Sequence, residues 1–310
     1  MDISFIIINY NTRHYLEPCL ESIVRYVTGI TYEVIVVDNA SNDESVDFLR
    51  KNHPQIKLIL NDKNQGFAKA NNQAAKIAKG DYLFLLNADT IILNNGLASA
   101  VEYMKANGIA VLGPKLLNED GSLQGSFHKK NSLNQYVLDI FSLAFPLKGL
   151  LRRFENKPVE VPASPVSVGF LLGAALIIDN NVVRKLGLFD EDYFFTGEER
   201  DFCLRMLRAH KKIVYFPEFQ ITHYGGGGNP HSTFHLVNWA KASCILARKH
   251  GSFFSIILTK TGLSFFYISR ATLFLVKRIF SQNTGFAGLA RKYFYLFLWS
   301  LGLLNEKRLD

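Results

Sequence analysis

The chain has 310 residues, 48% of them hydrophobic, which is enough for one large globular domain and an additional segment. Its three cysteines (Cys19, Cys203 and Cys244) are widely spaced and odd in number. This argues against a disulfide framework or a cysteine zinc site and indicates a reducing compartment. The run that follows Met1 has no basic leader, so no secretory signal is predicted.

The net charge of +8 is unevenly distributed along the chain. Residues 241–310 hold eleven Lys and Arg against Glu306 and Asp310, so the first 240 residues are close to neutral. Because the basic segment is also rich in Phe, it suggests contact with an anionic membrane surface or with nucleic acid.

The first ninety residues alternate between apolar runs typical of strands and amphipathic runs typical of helices. Strands are predicted at 3–8, 33–37, 56–60 and 83–86, and helices at 15–26, 45–52 and 68–78. This order predicts a parallel sheet with crossover helices. Asn or Asp follows each strand, and the chain has neither a G-x-G-x-x-G fingerprint nor a Walker lysine loop. A nucleotide bound here would be held by side-chain amides and carboxylates.

The fourth predicted strand runs directly into Asn87-Ala88-Asp89-Thr90. Ligands bind at the carboxyl ends of strands in open α/β sheets, and a carboxylate there suits a divalent cation that holds a phosphate. An ordinary strand-to-turn exit uses the same residue types. The motif alone therefore does not distinguish a metal site from a turn, and the other motifs of the chain are needed to decide.

The second half of the chain adds further polar clusters. Residues 125–165 carry scattered prolines and polar residues and are expected to form a mobile excursion over the core. Order is predicted to return from Val166, followed by Glu198-Glu199-Arg200-Asp201 at the start of a helix. Acids at a helix start also have a structural explanation, since they complement the helix dipole. A strand at 213–216 then leads to His223.

Several short motifs occur in a family-like order and spacing. They are Asn9-Tyr10-Asn11, Asp38-Asn39-Ala40-Ser41, Asn64-Gln65-Gly66-Phe67-Ala68, Asn71-Asn72, Asn87-Ala88-Asp89-Thr90, Gly173-Ala174, Glu198-Glu199-Arg200-Asp201 and His223. With them, the chain resembles a family 2 glycosyltransferase of the GT-A fold over residues 2–228, and most of all the rhamnosyltransferase-like branch acting on bacterial surface polysaccharides. The resemblance implies an α/β fold with a Rossmann-like, mixed but mainly parallel sheet flanked by helices. We expect a catalytic domain at 1–240 and an amphipathic helical tail at 241–310.

The resemblance also implies roles in binding the donor. Tyr10 would stack on a pyrimidine, and Asp38, expected to be an exposed acid, would accept the N3–H that uracil and thymine carry. The nucleotide-sugar site would comprise Asn9, Tyr10, Asn11, Asp38, Asn39, Asn64, Gly66, Phe67, Asn71, Asn87 and Asp89, with Gly173 and Ala174 on the acceptor side. A simple turn at Asp38-Asn39 is the structural alternative.

Metal binding and catalysis are implied in the same way. Asp89 and His223 would hold Mg²⁺ or Mn²⁺ on the diphosphate, although Asn87 departs from the Asp-x-Asp form of many relatives and His223 could be merely structural. Glu199 falls at the position of the general base, with Glu198 and Asp201 still possible. The expected reaction is metal-dependent hexosyl transfer that inverts the anomeric centre.

The expected partners follow from the same resemblance. The expected donor is dTDP-rhamnose or a UDP-sugar (GlcNAc, Gal, Galf or Glc), and the acceptor a saccharide or lipid-linked saccharide on the cytoplasmic face of the membrane. A sugar-phosphate nucleotidyltransferase and a non-catalytic nucleotide-sugar-binding protein are the alternatives. The first should have a Gly- and Arg-rich loop where this chain has Asn9 to Arg13.

The tail shows helical periodicity with a basic side. At about 100° per residue, Lys260, Arg270, Lys277 and Arg278 share one arc, while Leu263, Phe266, Leu273, Phe274 and Val276 lie largely off it. This pattern is typical of a helix lying in an anionic membrane interface. Packing on the catalytic domain or on another subunit is the alternative. Nucleic-acid binding is not expected, because the sequence shows no known nucleic-acid-binding motif.

Overall fold

The computed structural model describes residues 1–133, 136–137, 140, 162–225, 232–281 and 285–305. Much of the predicted excursion at 125–165 therefore lies outside the described residues. The chain divides into two compact units. One comprises residues 1–131 and 161–227, and the other residues 132–160 and 228–310. We call them the sheet unit and the helical unit.

The sheet unit contains eleven described strands and six described helices. The strands are β1 (Ile3–Asn9), β2 (Tyr32–Asp38), β3 (Lys57–Leu60), β4 (Tyr82–Leu86), β5 (Thr90–Ile92), β6 (Ile109–Leu117), β7 (Phe127–His128), β8 (Val166–Ser167), β9 (Phe170–Leu171), β10 (Ala175–Asp179) and β11 (Lys212–His223). The helices are α1 (Arg13–Tyr26), α2 (Ser45–Asn52), α3 (Phe67–Ile77), α4 (Leu97–Asn107), α5 (Asn180–Leu186) and α6 (Glu198–Arg208).

A nine-stranded mixed sheet organises this unit, with the order β3-β2-β1-β4-β10-β6-β11-β5 and with β8 against β11. Strands β3, β2, β1 and β4 pair in parallel, and β11 is parallel to β6. Strands β10 and β5 run antiparallel to their neighbours. Because β10 lies antiparallel to both β4 and β6, the carboxyl ends of β1, β2, β4, β6 and β11 face the same edge of the sheet.

Alternation along the central strands places one hydrophobic core on each face of the sheet. In β1, Phe5 and Ile7 pack in one core and Ile6 packs in the other. In β4, Phe84 faces the first core and Leu85 the second. Since successive strand side chains point to opposite faces, strands covered on both sides consist of continuous apolar runs. That is why these runs were recognisable in the sequence.

The predicted β-α order of the first ninety residues is confirmed. Every predicted element is present, and α2 coincides with the predicted 45–52. No element was predicted between residues 87 and 124, where the structure has β5, α4 and the central strand β6. The predicted strand at 213–216 is part of a much longer one, because β11 continues past a register shift after Phe216 to His223.

The helical unit contains α7 (Thr233–His250), α8 (Phe253–Phe280) and α9 (Gly285–Ser300) among its described residues. The predicted boundary at residue 240 lies inside α7. The buried hydroxyl of Tyr267 donates to the Leu236 carbonyl at 2.8 Å and so joins α8 to α7. Ser264 and Ser300 share a hydrogen bond of 2.8 Å between α8 and α9. The predicted helical tail is thus a packed bundle.

The predicted lipid-facing side of α8 needs correction. Leu263 and Phe266 are buried in the core of the helical unit, together with Tyr267 and Tyr293. Periodicity identifies an apolar stripe, but it cannot distinguish a stripe that packs on protein from one that faces outward. Within the described ranges, no helix combines the length and the apolar character that crossing a bilayer would demand.

Candidate active site

The ends of β1 and β2 form the first part of the site. Asn9 and Asp38 are paired across the two strands, and both are buried. The Asn9 amide donates to Asp38 Oδ2 at 2.7 Å and to Ser41 Oγ at 2.9 Å, while Thr12 Oγ1 donates to Asn9 Oδ1 at 2.6 Å. Since these bonds use both amide hydrogens, Asn9 orients Asp38 in this structure.

Asp38 is not the exposed acid that the sequence suggested. It is 2% exposed, and its Oδ1 accepts the Ser41 N–H at 2.9 Å. Ala40 has a positive φ of 67°, and this turn brings the Ser41 N–H back to the Asp38 carboxylate. A carboxylate has about four lone-pair sites, so two accepted bonds leave capacity for a donor on a ligand. Tyr10, by contrast, is 48% exposed beside this pair and is accessible for stacking.

The loop before α3 forms the second part of the site. Asn64 Oδ1 accepts the Gly66 N–H at 2.9 Å, and Asn39 donates to the Gly66 carbonyl at 3.4 Å. Gly66 has φ +84° and ψ 166°, a region that is essentially restricted to glycine. A Cβ there would lie 2.5 Å from the Phe194 carbonyl oxygen. The Phe67 N–H donates to the same oxygen at 2.8 Å, so this loop packs on the segment preceding α6.

Three predicted amides differ in their environment. Asn71 donates to the Phe67 carbonyl at 2.9 Å, but its Oδ1 is buried without a hydrogen-bond partner. Asn87 also has a buried Oδ1 with no partner. Asn11 has φ 55°, and its Oδ1 accepts the Asn42 N–H at 2.8 Å. Because unpaired buried acceptors are costly, Asn71 and Asn87 are the better candidates for contact with a ligand.

Asp89 and His223 meet at the ends of neighbouring strands. His223 pairs with Thr90 across β11 and β5, and the Tyr224 N–H donates to the Asp89 carbonyl at 3.0 Å. His223 Nε2 lies 3.5 Å from Asp89 Oδ1, and the two side chains are 12% and 11% exposed. The predicted pair of ligands is thus adjacent in the fold. Nearby, burial raises the pKa of the Cys19 thiol to about 12, so this thiol is neutral.

Gly173 and Ala174 connect this edge to the acidic cluster. The Asn87 N–H donates to the Ala174 carbonyl at 2.9 Å. A Cβ on Gly173 would lie 3.4 Å from Glu199 Cβ, so the Glu199 side chain passes directly over this glycine. The Asn87 contact and the Glu199 contact are therefore made by two consecutive residues.

The three acids of the cluster occupy different environments. Burial, with the Glu199 charge as a smaller cause, raises the pKa of Glu198 well above its usual value. Its Oε2 is buried without a hydrogen-bond partner. Burial also raises the pKa of Glu199, against the opposing effects of backbone hydrogen bonds and Arg200. Glu199 Oε2 accepts the Gly197 N–H at 3.0 Å. Asp201 is fully buried and pairs with Arg205 at 2.8 Å, which gives it a structural partner.

The structure thus brings most of the sequence-predicted residues to one edge of the sheet. No role was predicted for the residues that orient them, among them Thr12, Ser41 and Gln124. Gln124 Oε1 lies 2.7 Å from His223 Nδ1. No sequence signal marked Gln124, because a single glutamine in a polar segment is ordinary.

Comparison with known proteins identifies the family of this chain. The profile described as "Glycosyl transferase family 2" matches residues 4–164, which is more than half of the chain. The chain belongs to glycosyl transferase family 2. One relative within the family is the N-acetylglucosaminyl-diphospho-decaprenol L-rhamnosyltransferase of Mycobacterium tuberculosis (strain ATCC 25618 / H37Rv). It is 26% identical over 266 residues, covering 78% of this chain and 83% of the relative.

Two solved structures share the fold of this family 2 chain. The structure of S. aureus TarS 1-349 has a TM-score of 0.54 at 16% identity and covers 97% of this chain and 80% of the other. The structure of GalNAc-T7 with UDP, GalNAc and Mn²⁺ has a TM-score of 0.57 at 17% identity, with 97% and 56% coverage. The predicted GT-A architecture is confirmed: a mixed, largely parallel sheet flanked by helices, followed by a helical region.

The donor atoms at the strand ends fit a divalent cation held jointly with a ligand. Among the described residues, no three His, Cys, Asp or Glu side chains cluster as a complete metal site. Asp89 and His223 alone supply one carboxylate oxygen and one imidazole nitrogen, 3.5 Å apart. Two ligands about 2.1 Å from one Mg²⁺ lie at most about 4.2 Å apart, so both can reach the same ion. Imidazole suits transition metals and carboxylate suits Mg²⁺ and Mn²⁺.

Proposed function

We propose that this family 2 protein moves a sugar from a nucleoside diphosphate to an acceptor hydroxyl with inversion at the anomeric carbon. One observation carries the proposal: the residues proposed to read the base, to hold the metal and to accept the proton lie along one edge of the sheet. Asp38 follows β2, Asp89 and His223 stand at β5 and β11, and Glu199 packs over Gly173.

The nucleoside would be held by Tyr10 and Asp38. The exposed ring of Tyr10 offers a face for stacking on a pyrimidine. Asp38 can only accept hydrogen bonds when ionised, so it favours a base with a hydrogen on N3. Uracil and thymine have that hydrogen, whereas cytosine does not.

Asp89 and His223 would hold Mg²⁺ or Mn²⁺ against the diphosphate, with Asn87 beside them. When bound, the cation neutralises the charge that develops on the leaving diphosphate. The adjacency of the two side chains at 3.5 Å supports this role.

Glu199 would accept the proton of the attacking hydroxyl. The acceptor oxygen forms a bond to the anomeric carbon as the carbon–phosphate-oxygen bond breaks, and the electron pair leaves with the diphosphate. The acceptor proton passes to a Glu199 carboxylate oxygen. Burial raises the pKa of Glu199 and so strengthens it as a base. General-base catalysis contributes roughly 10²–10⁴-fold.

The proposed donor is dTDP-rhamnose, with a UDP-sugar as the second candidate. The M. tuberculosis relative is named as an L-rhamnosyltransferase that acts on a polyprenyl-linked N-acetylglucosamine, which supports rhamnose and a lipid-linked acceptor. The GalNAc-T7 structure holds UDP, and Asp38 would read a feature that both bases share.

A donor panel tests the function. Full-length protein with Mn²⁺ would be given dTDP-rhamnose or UDP-sugars and a polyprenyl-diphosphate-linked N-acetylglucosamine, with products followed by mass spectrometry. We expect a single added deoxyhexose from dTDP-rhamnose and tighter binding of dTDP and UDP than of CDP by calorimetry. Equal affinity for CDP would contradict the role of Asp38. Lack of transfer from every donor would contradict the proposed enzyme.

We also propose that the helical unit seats this protein on an anionic membrane surface. One side of α8 exposes Phe254, Ile257, Leu258, Phe265, Leu275, Val276 and Ile279. We call this set the α8 stripe. At about 100° per residue these side chains, with Thr261, Ile268 and Thr272 between them, form a charge-free face about seven turns long.

The charges around the α8 stripe favour lipid as its occupant. Lys260 and Arg278 are exposed and, five turns apart, border the stripe on the same side. Arg270 and Lys277 instead lie near the rings of Phe266 and Phe274. An apolar face with basic residues along its border is typical of a helix in an anionic interface. A lipid-linked acceptor would then be presented at the same surface.

Liposome sedimentation distinguishes lipid from a second copy of the chain. We expect the full-length protein to bind vesicles containing phosphatidylglycerol more strongly than pure phosphatidylcholine vesicles. Ile257→Glu and Leu275→Glu should abolish this binding. Val24→Glu, at a 65% exposed valine of α1, is the matched control and should leave it intact. A dimer that dissociates on Ile257→Glu, with no vesicle binding at low salt, would assign the stripe to a subunit interface.

A further inference from the structure

Gln124 makes a set of contacts that fixes the orientation of its side-chain amide. It follows a hairpin that extends β6, in which Leu117 bridges Leu123 and the Gln124 N–H donates to the Leu116 carbonyl at 3.0 Å. Because Leu117 is also in register with Thr222 of β11, this hairpin places Gln124 beside His223. Gln124 Nε2 lies 3.1 Å from the His223 backbone oxygen and 3.0 Å from Asn118 Oδ1.

The backbone oxygen of His223 decides which end of the Gln124 amide faces it. A peptide carbonyl can only accept, so the atom 3.1 Å away must be the nitrogen that donates. The opposite orientation would place two oxygens against each other. The second Nε2 hydrogen is directed to Asn118 Oδ1, and the Asn118 amide in turn donates to Ser122 Oγ at 2.9 Å and to the Leu123 carbonyl at 3.5 Å. This series of hydrogen bonds ends where the Ser122 hydroxyl donates to Asp120 Oδ1 at 2.5 Å.

The donor-to-acceptor direction of these hydrogen bonds determines which ring nitrogen of His223 carries the proton. Gln124 Oε1 is the atom 2.7 Å from His223 Nδ1, and an amide oxygen only accepts. The Nδ1 atom must therefore carry the hydrogen. In the neutral ring this leaves the lone pair on Nε2, the atom that lies 3.5 Å from Asp89 Oδ1.

We propose that Gln124 is a positioning residue that holds the His223 proton on Nδ1 and so presents the Nε2 lone pair to a cation shared with Asp89. This inference rests on the proposed function in its metal role. Ligating histidines commonly donate their second N–H to an acceptor that orients the ring, and loss of such a partner typically costs 10–100-fold in metal affinity. Here the acceptor comes from a hairpin that contributes no metal ligand of its own.

Nitrogen NMR of the imidazole tests the tautomer directly. Full-length protein labelled with ¹⁵N-histidine would be studied at pH 8, with the His223 signal assigned by its loss in His223→Gln. We expect the proton on Nδ1 in the wild type. Gln124→Leu should shift the signal toward the Nε2–H form, whereas Gln124→Glu keeps an acceptor oxygen and should retain Nδ1–H. Ser122→Ala removes a hydrogen bond two steps away from Gln124 in the series. It should leave the tautomer unchanged and is the matched control.

Metal affinity provides a second readout that does not require turnover. Calorimetric titration of Mn²⁺ in the presence of UDP should show a 10–100-fold loss for Gln124→Leu and wild-type affinity for Ser122→Ala. Thermal midpoints would confirm that the variants are folded. A wild-type His223 protonated on Nε2, or undiminished Mn²⁺ affinity in Gln124→Leu, would overturn the assignment to Gln124 alone. Absence of Mn²⁺ binding in the wild type would overturn the metal site of the proposed function and this inference with it.

Discussion

Glu198 and Glu199 are suited to different roles because the first turn of α6 places their side chains in different environments. Glu198 is 4% exposed, with an unpaired carboxyl oxygen, whereas Glu199 is partly accessible, accepts the Gly197 N–H and packs over Gly173. Burial raises the pKa of both groups, and that of Glu198 is raised further by the neighbouring carboxylate. A carboxyl that is easily kept neutral is suited to structure, while one that can reach a substrate is suited to proton transfer.

Glu199→Gln should lower turnover by roughly 10²-fold or more while leaving nucleotide affinity nearly unchanged. The amide keeps the shape of the side chain but cannot accept the acceptor's proton. Initial rates and calorimetry on the same preparation measure both effects. Asp201→Asn is the comparison, since it disturbs the Arg205 pair and should act mainly on stability. Near wild-type turnover in Glu199→Gln would rule out Glu199 as the base.

Glu198→Gln should stabilise the fold at neutral pH. A carboxyl whose pKa is raised on folding contributes fully below its unfolded pKa, and its contribution falls as pH rises toward the folded pKa. Replacing Glu198 with a neutral amide removes this loss of stability. The variant should therefore be more stable than the wild type above roughly pH 4.3, and the difference in stability should grow with pH. Thermal midpoints between pH 4 and pH 8 measure it, at about 2–4 °C per kcal/mol. A midpoint difference that does not vary with pH would contradict the charge argument.

For single residues, the sequence predicted where the site residues lie better than it predicted their burial and hydrogen bonds. The polar residues after β1, β2 and β4 indicated a site because parallel strands end at one edge. The burial of Asp38 was not predictable, since it depends on Asn9 and Ser41 folding around it. Gln124 was equally invisible, because its role arises from a hairpin placed beside a strand that is distant in sequence.

Among the elements, the loop before α3 depends on a single backbone conformation. Gly66 combines a φ of +84° with a close approach to the Phe194 carbonyl. The loop thereby ties Asn39 and Asn64 to the segment that leads into α6. The residues proposed to bind the nucleoside are therefore linked through this loop to the segment that precedes the acidic cluster.

Gly66→Ala should weaken nucleotide binding and lower the thermal midpoint. The Cβ would lie 2.5 Å from a backbone oxygen, and the conformation itself costs a non-glycine residue about 1–3 kcal/mol. Gly121→Ala is the matched control, since Gly121 also has positive φ (+78°) but has open space around its missing Cβ. Calorimetry with UDP and thermal unfolding of both variants would check this. Equal effects of the two substitutions would show that the contact with Phe194 is unimportant.

Elements with strong periodicity were predictable, and those defined by pairing partners were not. The buried strands β1, β2 and β4 are continuous apolar runs, and α2 was predicted at its observed bounds. Strand β5 has only three residues, and β6 contains Gly113-Pro114, so neither has a distinct local pattern. In α8, helix formation was predictable, but the stripe left exposed is determined by the packing of α7 and α9.

At the level of the whole molecule, the chain consists of two units with separate cores. All predicted site residues lie in the sheet unit, whereas the α8 stripe lies in the helical unit. A ligand that binds only folded protein stabilises the part that binds it, by about 2.7 kcal/mol at a concentration of 100 Kd.

UDP with Mn²⁺ should therefore protect the sheet unit more than the helical unit. Hydrogen exchange followed by mass spectrometry would report each unit separately through its own peptides. We expect slower exchange in peptides covering β1, β2, β4 and β11, and no change in α8. Protection confined to α8, or absent from the strand ends, would contradict a nucleotide site at this edge of the sheet.

The pairing of β11 with β5 and β6 has a consequence for synthesis of the protein. Asp89 leaves the ribosome long before His223, which must then cross back to lie beside Thr90. A chain lengthens at roughly 5–20 residues per second, so the nascent protein holds only one of the two proposed ligands for about 7–27 seconds. Truncated or stalled products would lack His223, so under the proposed metal role only chains translated through β11 would retain Mn²⁺.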